Sequence, residues 1–216
     1  MSHPHNIDQR APIVRFEHDD IVVECEQHGS NSAGFVFGTS SVIWPIAMVL
    51  GRHLCRNRAL VRGKRCVELG SGTGMCGLVA AAVGAARVLL TDTAEALPIL
   101  RRNAADRADV AELSWGDEAH IAAVGGACFD VVLASDVIFH QEPPEMELLA
   151  TTLAALLAPS GVCLIGYEFR DDWGAAATFC DACVAAGLRV ESEPIEAPDD
   201  LDDDFYLYTL TRAARA

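Results

Sequence analysis

The chain has 216 residues, of which 51% are hydrophobic, and its 31 acidic and 16 basic residues give a formal net charge of −15. This length is enough for one α/β domain with a full core, and the hydrophobic fraction excludes an intrinsically disordered chain. The acidic balance argues against extended binding to a nucleic-acid backbone, which depends on Lys and Arg, and suits a basic protein partner better.

The sequence contains no signal for a membrane or for secretion. No apolar run approaches the roughly 20 residues that span a bilayer, and the first residues lack a basic segment followed by an apolar one. The eight cysteines are scattered among apolar residues, as buried free thiols are. We therefore expect a protein of the reducing cytoplasm. The lone Cys180-x-x-Cys183 pair has no second pair, so no metal site is expected.

Residues 1–63 are expected to form an N-terminal extension that packs on the core within one structural domain. Two apolar runs flank the polar residues 17–20, which predicts a β-hairpin. Residues 27–41 are rich in Gly, Ser and Asn and predict a loop. The apolar residues that follow Pro45 predict a helix that runs to about Cys55, because proline is tolerated in the first turn.

From residue 64 to residue 216, apolar strand patterns alternate with helical patterns. Strands are predicted at 65–69, 87–91, 110–114, 129–135 and 162–167, and helices at 74–83, 95–107, 145–157 and 173–186. This alternation predicts a Rossmann-like, doubly wound and mostly parallel α/β sheet. The last two strand patterns, 188–192 and 205–210, have no helix between them. They predict a terminal hairpin, and therefore an antiparallel last strand in a seven-stranded sheet.

The first core strand leads into a helix through residues 70–74, here called the glycine loop. Gly70, Gly72 and Gly74 allow positive φ angles and a close approach of the backbone to a ligand. The following helix start offers unpaired N–H groups, which suits a nucleotide or a carboxylate. Residues 72–77 also match the G-x-G-x-x-G dinucleotide fingerprint, which is a weak pattern when it stands alone.

Glu68 distinguishes the two interpretations, because with the glycines it gives E-x-G-x-G-x-G. This pattern resembles motif I of class I S-adenosylmethionine (SAM)-dependent methyltransferases, in which the glycine loop lies against the methionine part of SAM and the acid interacts with its amino group. Asp92 ends the next strand about 20 residues later, where an acid can reach ribose hydroxyls. This position suits NAD and SAM equally.

A narrower resemblance covers roughly residues 35–170. The chain resembles the seven-β-strand protein lysine methyltransferases of the METTL21-like family. The segments that carry the resemblance are 42–45, 68–74, 91–92, 113–116 and 135–139. The family has an acid, two residues and then Tyr or Phe after the fourth core strand, which Asp136 and Phe139 match. Phenylalanine at position 139 removes any role that a tyrosine hydroxyl has there.

The resemblance implies a set of site residues. Those for the cofactor are Trp44, Glu68, Gly70, Gly72, Gly74, Asp92, Trp115 and Ser135, and those that face the substrate nitrogen are Asp136 and Phe139. Within this set, Asp92 holds the ribose, Trp115 neighbours the adenine, Trp44 borders the pocket, and Ser135 lies near the transferred methyl group. The implied activity is methyl transfer from SAM to a protein lysine, with S-adenosylhomocysteine as product.

Several alternatives remain open at this stage. The first alternative is a SAM-dependent methyltransferase whose acceptor is a small molecule or another protein side chain, such as histidine. An NAD-dependent oxidoreductase is the second, and a non-catalytic SAM-binding partner protein is the third. The segment 167–170 is either a structural ion pair or a peptide contact. The acidic run 199–204 is either a solvated turn or an attraction for a basic segment. The sequence indicates neither the oligomeric state nor the number of methyl groups added.

Overall fold

The computed structural model describes residues 7–28, 39–138, 143–170, 173–196 and 204–213. The strands are β1 (Ile13–His18), β2 (Ile21–Glu26), β3 (Arg65–Leu69), β4 (Arg87–Asp92), β5 (Asp109–Glu112), β6 (Phe129–Ser135), β7 (Leu157–Glu168), β8 (Leu188–Pro194) and β9 (Phe205–Arg212). The α-helices are α1 (Pro45–Arg56), α2 (Met75–Val83), α3 (Leu97–Ala104), α4 (Glu118–Ala123), α5 (Pro143–Leu156) and α6 (Trp173–Ala185).

The large sheet has seven strands in the order β5-β4-β3-β6-β7-β9-β8. The neighbours from β5 to β7 run parallel. β9 lies between β7 and β8 and is antiparallel to both. The predicted α/β fold, with its mostly parallel seven-stranded sheet and antiparallel last strand, is confirmed. The sheet order reverses between β3 and β6, which is where ligands bind in open sheets of this kind.

Helices cover both faces of the sheet, which explains the continuous apolar runs of its central strands. Two adjacent residues of β3 point to opposite faces of the sheet. Cys66 belongs to the core on the side of α1, α2 and α3. Val67 belongs to the core on the side of α5 and α6. Within the described ranges, no helix combines the length and apolarity that a bilayer crossing requires.

The predicted N-terminal hairpin is confirmed as the antiparallel pair β1 and β2. Its inner face packs on the first core through Phe16, which is fully buried. A Cβ at Gly51 of α1 would lie 3.0 Å from the Phe16 ring, so the helix and the hairpin approach closely there. The predicted helix after Pro45 is also confirmed, and it positions residues that precede it on the wall of the site.

Helix α3 is shorter than predicted, at Leu97–Ala104, and two larger differences from the predicted elements have clear causes. Helix α4 was not predicted, because its six residues lack an apolar stripe; Asp117 caps it by accepting hydrogen bonds from the backbone N–H groups of Ala119 and His120, both at 2.9 Å. Strand β7 begins at Leu157, before the predicted start, because Leu157 pairs with Phe129 ahead of a register shift. The predicted loop 27–41 and the acidic run 199–204 lie largely outside the described residues.

Candidate active site

A cavity of about 350 Å³ opens at the carboxyl ends of the parallel strands, a volume within the range of ligand pockets. The sequence-predicted residues that line it are Trp44, Gly70, Gly72, Asp92, Trp115, Ser135 and Asp136. These come from the start of α1 and from the segments that follow β3 to β6, because parallel strands deliver their ends to one edge of the sheet. Phe139 lies outside the described residues, and Glu68 and Gly74 are not among the lining residues.

The glycine loop passes directly beneath the segment that precedes α1. Gly72 has a φ of 53°, in the left-handed region that glycine tolerates best. A Cβ at this position would lie 2.9 Å from the backbone oxygen of Ser40, so a side chain there would displace the neighbouring backbone. Gly74 ends the loop at the start of α2 and points away from the cavity, since it is not a lining residue and a Cβ there would meet Leu100 at 2.9 Å. Gly72 therefore shapes the cavity wall, while Gly74 permits the packing under it.

Asp92 ties the end of β4 to the glycine loop. Its Oδ2 atom accepts a hydrogen bond from the backbone N–H of Gly72 at 2.7 Å, and its Oδ1 atom accepts one from Thr93 at 2.8 Å. The side chain is buried, and burial raises its pKa above the ordinary value, partly offset by these hydrogen bonds. Because Asp92 also lines the cavity, its carboxylate stands beside both the loop and the ligand space.

Glu68 lies beneath the glycine loop and not on the cavity wall. Its Oε2 atom accepts a hydrogen bond from the Gly77 N–H at 3.0 Å, and its buried Oε1 atom has no hydrogen-bond partner among the described residues. Burial raises the pKa of this carboxyl to about 8. A Cβ at Gly77 would lie 2.7 Å from Glu68 Oε2 and 2.3 Å from Leu90, so Gly77 serves helix–strand packing. A dinucleotide loop has the same requirement, so Gly77 does not discriminate between the two families.

Hydroxyl groups join the ends of β3 and β4, a feature that the sequence reasoning missed. The Ser71 Oγ atom accepts from the Thr91 N–H at 3.0 Å, and the Thr91 hydroxyl donates to the Glu68 carbonyl at 2.7 Å. The Asn103 amide donates to the Thr73 carbonyl at 2.8 Å and the Glu26 carbonyl at 2.9 Å, so it links the loop to the N-terminal hairpin. The small polar residues Ser71 and Thr91 at the ends of the two strands were the signal in the sequence from which these hydrogen bonds could have been predicted.

Asp136 stands at the other side of the cavity, directly after β6. Its φ of 59° is in the left-handed region, which aspartate tolerates better than most residues. Its backbone N–H donates to the Gly166 carbonyl at 3.0 Å, which fixes the turn against β7. Its side chain is only 5% exposed. The turn therefore directs a nearly buried carboxylate to the cavity.

Arg170 is the partner of that carboxylate, and its bond to Glu168 confirms an ion pair within segment 167–170. Its two terminal nitrogens donate to the two oxygens of Asp136 at 2.7 and 2.8 Å, and one of them also donates to Glu168 at 3.0 Å. Its guanidinium carbon lies 5.4 Å from the centre of the Trp44 ring, within the range of a cation–π contact. Burial lowers the pKa of Arg170, but the hydrogen bond to Asp136 and the nearby charges of Asp136 and Glu168 together outweigh it, so the pKa is raised.

Known relatives match between 53% and 68% of this chain. Protein N-lysine methyltransferase METTL21A of Danio rerio is 33% identical over 141 residues, which cover 62% of each chain. EEF1A lysine methyltransferase 3 of Mus musculus is 32% identical over 152 residues, 68% of this chain and 63% of the relative. Histone-arginine methyltransferase METTL23 of Homo sapiens is 34% identical over 124 residues, 53% of this chain and 62% of the relative. The matched region is therefore less than two thirds of each relative's length.

Solved structures with the same fold include methyltransferases of lower identity. The TehB-like SAM-dependent methyltransferase from Corynebacterium glutamicum superposes with a TM-score of 0.60 at 16% identity and covers 76% of this chain and 87% of that one. The CcbJ methyltransferase from Streptomyces caelestis gives a TM-score of 0.61 at 16% identity, with 82% and 94% covered. At these identities the likeness shows the fold. A family model described as lysine methyltransferase matches residues 18–181, so the chain belongs to the lysine methyltransferase family.

Proposed function

We propose that this protein is a SAM-dependent methyltransferase that transfers a methyl group to the ε-amine of a lysine in a protein substrate. The observation that carries the proposal is one cavity that joins the glycine loop and Asp92 on one side to Asp136 and Trp44 on the other. The first side has the groups that a nucleoside and an amino acid require, and the second has a carboxylate and an aromatic face for a cationic acceptor. Membership of the lysine methyltransferase family supports the same activity.

The cofactor side fits S-adenosylmethionine, which supplies an electrophilic methyl group when bound. The positive φ of Gly72 and its closeness to Ser40 leave a backbone surface that a ligand can approach. Asp92 offers carboxylate oxygens to ribose hydroxyls, and the Trp115 ring offers a flat apolar face for a base. Glu68 supports the loop from beneath, so we assign it to holding the loop in place.

The acceptor side fits an amine. A lysine attacks only after it loses its proton, and its pKa falls when it is desolvated or placed beside another cation. Asp136 orients the amine, while Trp44 presents an aromatic face to a cationic side chain. Phe139 is assigned to the same side on the sequence motif. The net charge of −15 supports a substrate with a basic surface, and the free cysteines support a cytoplasmic location.

Thermal unfolding with separate ligands tests the cofactor assignment. A ligand at 100 times its dissociation constant stabilises the folded state by about 2.7 kcal/mol, which for a chain of this length is roughly 5–10 °C. We expect this shift with SAM and with S-adenosylhomocysteine, and none with NAD. A shift with NAD alone would overturn the proposal. Tritium transfer from labelled SAM into protein, and not into the small-molecule fraction, then tests the acceptor class.

A further inference from the structure

Beside the acceptor side of the cavity, a guanidinium group of the chain itself is bonded to the lining residue Asp136. Arg170 bridges both oxygens of Asp136 and reaches Glu168, and its guanidinium faces the Trp44 ring. We call the three groups around it, Asp136, Glu168 and Trp44, the guanidinium seat. The Asp136 and Glu168 side chains are 5% and 13% exposed, and the Arg170 side chain is 28% exposed.

The seat has the chemistry that a guanidinium ligand requires. The planar fork of arginine matches a carboxylate through two parallel hydrogen bonds, which an ammonium group does not do. A second carboxylate and an aromatic face add to the same selectivity. Asp136 and Trp44 also line the cavity. An arginine acceptor would need both oxygens of Asp136 for its two parallel hydrogen bonds, and Arg170 already binds both. A lysine amine needs only one contact, and an ionised carboxylate keeps lone pairs beyond the two that Arg170 uses.

We propose that Arg170 is a positioning and specificity-determining residue, whose guanidinium fills the seat, holds Asp136 at the cavity and closes the site to arginine acceptors. This inference rests on the proposed function, because it gives a structural reason for a lysine acceptor in place of an arginine. The choice between the two acceptors is relevant because the relatives of this chain include both lysine and arginine methyltransferases.

The existing contacts favour a seat that stays filled during the reaction. A lysine that displaced Arg170 would replace two parallel hydrogen bonds to Asp136 with a single point charge. It would also leave a nearly buried carboxylate pair with poorer compensation, which is costly in a protein interior. The acceptor amine therefore approaches an Asp136 carboxylate that Arg170 already orients.

Chemical rescue tests the seat without any methyl acceptor. Arg170→Ala empties the seat, and we expect its unfolding midpoint to fall by about 6 °C or more, because removal of one partner leaves a buried charge uncompensated. Methylguanidinium at about 20 mM, far below denaturing concentrations, should restore about half of the loss or more by binding the folded state. Methylammonium and KCl at the same concentration should not.

Arg87→Ala is the matched control, because Arg87 pairs with Asp109 at 2.8 Å on the exposed opposite edge of the sheet. Its midpoint should change by less than about 3 °C and should not respond selectively to methylguanidinium. Equal responses of Arg170→Ala to methylguanidinium and methylammonium would overturn the seat, as would an equal response of the control.

Arg170→Lys provides the second measurement and covers the case in which Arg170→Ala does not fold. Lysine keeps the charge but cannot bridge both oxygens of Asp136. We expect methyl transfer to fall about 10-fold or more while the affinity for S-adenosylhomocysteine changes by less than about 2-fold. Unchanged methyl transfer in Arg170→Lys would overturn the positioning role.

Acid hydrolysis of labelled protein tests the acceptor class. A cell extract is incubated with tritiated SAM and the protein, and the methylated amino acids are separated. We expect label in methyl-lysine with the natural protein. Label in methylarginine would overturn the exclusion of arginine even though methyl transfer itself stands. Loss of all labelling would instead contradict the proposed function, while the rescue experiment would still decide the seat.

Discussion

Glu68 is an acid whose burial under the glycine loop gives a pH effect. Its pKa is raised from 4.5 to about 8 by burial. Between these values the folded state keeps a proton that the unfolded chain releases, so the free energy of unfolding falls as pH rises through this window. Glu68→Gln removes the titrating group while an amide retains an acceptor for the Gly77 N–H.

We therefore expect Glu68→Gln to have a flatter dependence of stability on pH than the natural protein between about pH 5 and pH 8, by up to about 1.4 kcal/mol per pH unit. Denaturant unfolding across this range measures it. Asp92 is unchanged in both proteins, so its own raised pKa contributes equally to each. Parallel pH profiles for the two proteins would show that Glu68 is ionised in the folded state.

At Gly72, a larger residue would meet both an unfavourable φ and a lack of space for its Cβ, and the effects of these two on stability can be separated. Gly72→Ala places a Cβ 2.9 Å from the Ser40 backbone oxygen, whereas Gly63→Ala, at a φ of 72°, meets nothing within 4 Å. We expect a loss of about 1–2 kcal/mol for Gly63→Ala from backbone strain alone and a greater loss for Gly72→Ala.

Only Gly72→Ala should also weaken binding of S-adenosylhomocysteine, by about 10-fold or more, because a shift of the loop changes the cavity wall. Isothermal titration measures this affinity, and urea unfolding measures the stability. Equal losses of stability and unchanged affinity in both variants would contradict the role of the close approach to Ser40.

The sequence predicted that the glycine loop and Asp92 lie close together, which the structure shows, but it did not predict the pair of Asp136 with Arg170. The glycine loop follows β3 and Asp92 ends β4, the next strand along the chain, so their spacing carried the information. The ion pair of Asp136 with Arg170 joins the ends of β6 and β7 across 34 residues. No local pattern fixes which of several charged side chains meet at that distance, because the choice depends on the twist and register of the two strands.

At the scale of elements, the N-terminal hairpin contributes a buried aromatic anchor to the core. Phe16 is fully buried against α1, whereas Ile13 of the same strand is 55% exposed. We expect Phe16→Ala to lower the free energy of unfolding by about 3–5 kcal/mol and Ile13→Ala to change it by less than about 0.5 kcal/mol. Urea unfolding of both variants tests this. Similar small effects would mean that the hairpin is dispensable for the stability of the core.

Element boundaries were predicted well where apolar runs were long and less well where pairing decided them. The central strands β3 and β6 stand where the sequence placed them, because they are buried on both faces. Helix α4 depends on a cap and not on an apolar stripe, and the start of β7 depends on pairing with Phe129 across a register shift. Packing of the extension 1–63 with the core as one domain stays a prediction.

At the scale of the whole molecule, the distribution of thiols predicts a chemical reactivity pattern. Six of the eight cysteines are buried, while Cys128 and Cys180 are half-buried. Burial raises the pKa of the Cys25 thiol to about 12, and thiols react as thiolates. We expect a thiol reagent to label at most two cysteines rapidly in the folded protein and all eight in denaturant. Rapid labelling of more than two would show that the core opens.

The position of β9 in the sheet has a consequence for synthesis on the ribosome. Although β9 follows every other sheet strand along the chain, it occupies a place between β7 and β8. A nascent chain that has not yet reached Phe205 therefore exposes one edge of β7 and has no partner for β8 in the pairing described. Unpaired edges are templates for association with other chains, so the incomplete chain is a candidate for chaperone protection until its final strand is inserted.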